Sequence, residues 1–67
     1  MSLTYRLVHE PLQSRRSYIV RDGTLVVGWL HHDASGWWVE LSDVKEKQGP
    51  FWTWETAQNA LRKALRG

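Results

Sequence analysis

Three consecutive residues, His31-His32-Asp33, are the densest concentration of metal-binding and proton-moving groups in this chain. Adjacent residues on a strand point to opposite faces, so His31 and His32 do not chelate one ion. No His-x-His or His-x-x-x-His spacing occurs, His9 stands alone, and a closed zinc site needs four ligands. Cysteine is absent, which removes thiolate sites and disulfides. No metal is expected here; the tripeptide reads as a strand end running into a polar turn.

Serine and histidine both occur, yet there is no Gly-x-Ser-x-Gly elbow to present a nucleophile. Gly23, Gly28, Gly36, Gly49 and Gly67 are scattered and form no phosphate loop. A chain of 67 residues has little room for a pocket that excludes water. The expectation is a non-catalytic protein with no cofactor and no small-molecule substrate.

Two chemistries remain, both of surfaces. The first is phosphate contact. Arg15 and Arg16 sit in a loop, and Arg62, Lys63 and Arg66 share the end of a helix, with Tyr18 or a tryptophan available to stack on a base. The same helix bases also complement the C-terminal dipole. The formal charge is +2, split as +3 over residues 1–21, −4 over 22–46 and +3 over 47–67. A concentrated basic face therefore forms only if the two ends meet in space. The second chemistry is aromatic anchoring. The chain has five tryptophans. A domain this small buries only about 60% of its unfolded surface, so large rings replace missing staples. Five are hard to hide together, and exposed tryptophans serve as binding anchors.

The elements that must position these residues follow from period and punctuation. Residues 4–9 alternate and are rich in strand formers. Pro11 interrupts, and residues 13–16 are polar loop. Residues 17–20 form a second strand. Asp22-Gly23 is a hairpin signal, both central residues of that turn needing positive φ. Residues 25–31 are apolar on both faces, as suits a central strand. Residues 33–36 turn, and residues 37–42 form a strand with Trp37, Val39 and Leu41 on one face and Trp38, Glu40 and Ser42 on the other. Gly28, inside a strong strand, marks a bulge or a ring packed on bare backbone. Residues 43–50 read as a charged loop, and Phe51-Trp52 as a short edge strand. Thr53 caps a helix whose stripe is Trp54, Ala57, Leu61, Ala64 and Leu65, with Glu55 in its first turn. The fold expected is α+β: one small domain over 1–67, a three- to four-stranded antiparallel meander with one C-terminal helix packed on one face.

The stretch from Gly36-Trp37-Trp38-Val39-Glu40-Leu41 to Phe51-Trp52-Thr53-Trp54-Glu55-Thr56-Ala57-Gln58-Asn59-Ala60-Leu61 resembles the sheet-plus-helix DNA-binding domains of plant ethylene-response factors and phage-integrase arm-binding domains. Phe51, Thr53, Glu55, Ala57 and Ala60 match the family's helix-start spacing, and Trp38 matches its strand tryptophan. The resemblance implies a sheet that enters the DNA major groove with arginines and tryptophans. Glu40, Ser42 and Asp43 stand where that family places bases.

The functional expectation is a small accessory module, of the kind phages and mobile elements carry, that binds a partner protein or a second copy of itself. Its surface would be Trp38, Glu40, Trp29 and Tyr18. The alternative is DNA or RNA binding through Arg15, Arg16, Arg62, Lys63 and Arg66. No apolar run reaches the ~20 residues of a membrane span, and no apolar leader opens the chain. With no cysteine, this fits a cytoplasmic setting.

Overall fold

The computed structural model describes residues 2–8 and 15–66. His9, the Pro11 break and the polar loop at Gln13 and Ser14 lie outside them, as does Gly67. Five strands run in chain order across one antiparallel sheet: β1 (Leu3–Val8), β2 (Arg16–Asp22), β3 (Leu25–Asp33), β4 (Gly36–Leu41) and β5 (Gln48–Phe51). A single helix, α1 (Trp54–Leu65), follows and packs on one face against β3, β4 and β5. The α+β meander with its C-terminal helix is as expected, and β3 is central.

The strand count is higher than the three to four expected, because Gln48-Gly49-Pro50-Phe51 pairs with β4. The Gly-Pro pair had read as loop. Proline is tolerated here because β5 is an edge strand and owes no N–H to a further neighbour.

The first hairpin differs by one residue from the reading above. Asp22 pairs with Leu25, so the two-residue loop is Gly23-Thr24 rather than Asp22-Gly23. Gly23 has φ +63, whereas no non-glycine residue among those described has positive φ. One glycine in the first loop position is all this turn needs.

The core lies between the sheet and α1. Val20, Leu30, Val39, Ala57 and Leu61 are buried, one layer from the inward face of β2, β3 and β4 and the other from the helix stripe. Gly28 lets this happen. A Cβ there would lie 2.5 Å from the Glu40 carbonyl oxygen and 3.3 Å from Leu61 Cδ1, so bare backbone admits a leucine rather than a ring. The register also shifts next to this residue, between Val20 and Arg21. Around the helix start, Trp54 meets Tyr18 (4.9 Å between ring centroids), Trp37 (5.0 Å) and Tyr5 (5.3 Å), all edge-to-face. Such pairs contribute roughly 0.5–1.5 kcal/mol each beyond area burial. Thr53 is the N-cap: its Oγ1 accepts from the Thr56 N–H at 3.1 Å.

Candidate functional site

Alternation along the strands, together with the register, fixes what the face opposite α1 carries. Three cross-strand rows run over it: Thr4–Arg21–Val26, Arg6–Ile19–Trp29–Glu40 and Val8–Ser17–His31–Trp38. Among the described residues no helix or strand lies over these rows. Trp29, Trp38 and Glu40, expected to share a binding surface, do share this face, each half-buried. Tyr18 does not. It alternates with Ser17 and Ile19, so it points to the helix side, where it packs against Trp54 and Trp37. Its place in the binding surface is corrected accordingly.

A hydrogen-bonded chain crosses three strands on the open face. Ser17 Oγ lies 2.8 Å from His31 Nδ1, and His31 Nε2 lies 2.8 Å from Glu40 Oε1. With Nε2–H donating to Glu40, Nδ1 of the neutral ring accepts a hydrogen bond from the Ser17 hydroxyl. The residue types are those of a hydrolase triad, but the ring nitrogens are exchanged: in the triad the serine is on Nε2 and the carboxylate on Nδ1. Ser17 is moreover only 3% exposed, out of reach of a substrate. The chain instead holds Glu40 at a fixed position on the face.

Trp38 is anchored at the same end. Its indole Nε1–H donates to Asp33 Oδ1 at 3.3 Å and to Ser35 Oγ at 3.2 Å. Its ring lies across Gly49, where an added Cβ would come within 3.0 Å of Cε3. Trp38 therefore also pins β5, a folding role that the alternation pattern did not disclose. Asp33 Oδ1 accepts in addition from the Ser35 hydroxyl (2.6 Å) and the Ser35 N–H (2.9 Å). These Ser35 bonds, the hydroxyl first, hold the Asp33 carboxyl below its ordinary value.

Arg15, His31, Asp33, Trp38 and Lys47 line a cleft of about 230 Å³ beside the relay. Arg15 Nε is buried there with no hydrogen-bond partner among the described residues. The other proposed phosphate contacts lie elsewhere. Arg16 pairs with His32 and so belongs to the helix side of the sheet, at the end where α1 begins. Arg62, Lys63 and Arg66 are exposed at the far end of α1, beyond Leu61 and Gly28. Arg15, Arg16 and the three helix bases thus form no single patch, although Lys47 joins Arg15 at the cleft. Arg6 and Arg21, which sequence reasoning left out of the phosphate contacts, lie on the open face as well.

His31 and His32 part as adjacent strand residues must. His32 stacks on Trp37 at 4.3 Å on the helix side. Among the described residues no group of three His, Cys, Asp or Glu could hold a metal, and no helix is long and apolar enough to cross a membrane. The feature sequence reasoning missed altogether is Trp52, 95% exposed at the β5–α1 junction. No protein-family model, curated protein or solved structure matches this chain.

Proposed function

We propose that this protein is a small non-catalytic binding module that receives a segment of a partner protein on the sheet face opposite α1. The observation that carries the reading is the pairing of Trp29 and Trp38 with a Glu40 fixed by the Ser17–His31 chain, on a face no described element covers. Two indoles supply apolar contact area, and a carboxylate held in place supplies direction without losing rotamer freedom on binding. Arg6, Arg15, Arg21 and Lys47 border the surface, so a segment with apolar and acidic side chains is the complementary partner.

The same four bases favour a second reading, nucleic-acid binding through this face, the mode implied by the resemblance to sheet-plus-helix DNA-binding domains. One experiment separates the two. Random peptides displayed on phage are selected against the folded protein, and the enriched peptides are titrated by fluorescence anisotropy. Short duplex and single-stranded DNA are titrated in parallel over a salt series. The protein reading expects selected peptides to lose at least about 30-fold in affinity for Trp29→Ala, measured where that variant is folded. Absence of peptide binding, with DNA affinity falling steeply as salt rises, would establish the nucleic-acid reading instead.

A further inference from the structure

None of the described residues covers Trp52. It precedes the N-cap Thr53, the position whose apolar side chain commonly folds back onto the first helical turns; at 95% exposure it does not. Its ring is itself one wall of a cleft of about 320 Å³, which His32, Asp33, Ala34, Ser35, Pro50 and Phe51 also line. That volume is at the small end of ligand sites and suits one bicyclic ring rather than an extended ligand. Gly36 shapes it: φ is +133, and a Cβ there would lie 3.2 Å from Pro50 Cβ and 2.8 Å from the Phe51 carbonyl oxygen, so the β3–β4 turn presses on the β5 backbone.

A projecting ring and a ring-sized recess side by side on one surface are self-complementary under a two-fold axis. We infer that Trp52 of one chain inserts into this cleft of a second copy, reciprocally, making the β5–α1 corner a homodimer contact. The charges around it agree. Exposed Arg16 flanks the cleft through its partner His32, while Asp33 on the wall and exposed Glu55 just past Trp52 are acidic. Antiparallel juxtaposition of two such corners sets Arg16 of one chain toward the acids of the other. This contact does not rest on the sheet-face reading, because neither Trp29 nor Glu40 takes part.

Sedimentation equilibrium over a wide concentration range tests it. The wild-type chain should show a reversible monomer–dimer equilibrium. Trp52→Ala should keep its melting temperature as a monomer and raise the dimer dissociation constant at least about 30-fold. Ala34→Arg, at an exposed turn position, should do the same by blocking the recess. A wild-type chain that stays monomeric at about millimolar concentration overturns the inference. So does a dimer unaffected by Trp52→Ala or by Ala34→Arg. The peptide selection against the open face is read independently of these results.

Discussion

Asp33 shows how much one side chain can organise at the end of a hairpin. A single oxygen accepts from the Ser35 hydroxyl, the Ser35 N–H and the Trp38 indole. These donors favour the charged carboxylate, so its folded-state value lies below the ordinary 3.8. Between the two values the unfolded chain binds more protons than the folded one, and stability rises with pH. The contribution is complete above the ordinary value and is lost as pH falls through the folded one. Asp33→Asn should therefore be less stable than wild type near neutrality and approach it in acid. Urea midpoints measured from about pH 6 down to about pH 2.5 check this; parallel curves for the two proteins would show that Asp33 carries no such linkage.

The helix and the sheet meet through Trp54. Ala57 and Leu61 are the fully buried helix residues, and small Ala57 allows close approach, but Trp54 joins the aromatic side chains of β1, β2 and β4. Its ring is half-buried. Trp54→Ala should accordingly cost about 2–3 kcal/mol, below the roughly 3–5 kcal/mol of a fully enclosed ring. Denaturant unfolding monitored by circular dichroism measures the loss. A midpoint unchanged within error would mean that the aromatic contacts at the helix start are not formed.

For the molecule as a whole, the two layers depend on each other. Val20, Leu30 and Val39 share one buried cluster with Ala57 and Leu61 of the helix, and an isolated helix of 12 residues is marginal in water. A chain ended after Trp52 should show no cooperative thermal transition and should expose apolar surface that binds a hydrophobic dye. A sharp transition in that truncated chain would place the core within the sheet itself. The other sheet face is stabilised differently, by half-buried tryptophans and the Ser17–His31–Glu40 chain. A partner can therefore dock there without dismantling the core.

Local pattern sufficed for the element order, the central place of β3 and the helix register. Period-two alternation in residues 37–41 and the three–four spacing from Trp54 are imposed by backbone geometry, which acts within a few residues. Thr53 as the cap was legible for the same reason. Partition of the five tryptophans needed the fold: Trp37 and Trp54 join the helix-side cluster, Trp29 and Trp38 lie on the open face, and Trp52 stands in solvent. Trp38 and Glu40 could be assigned to one face by parity along their own strand. Tyr18 could not be placed beside or apart from them, because parity says nothing between strands until the register is set. Ser17, His31 and Glu40 are far apart in sequence, and only the β2–β3 and β3–β4 registers bring them within hydrogen-bonding distance. The dispersal of Arg15, Arg16, Arg62, Lys63 and Arg66 was likewise a tertiary outcome. Charge along a chain becomes charge on a surface only after the sheet and helix have chosen their sides.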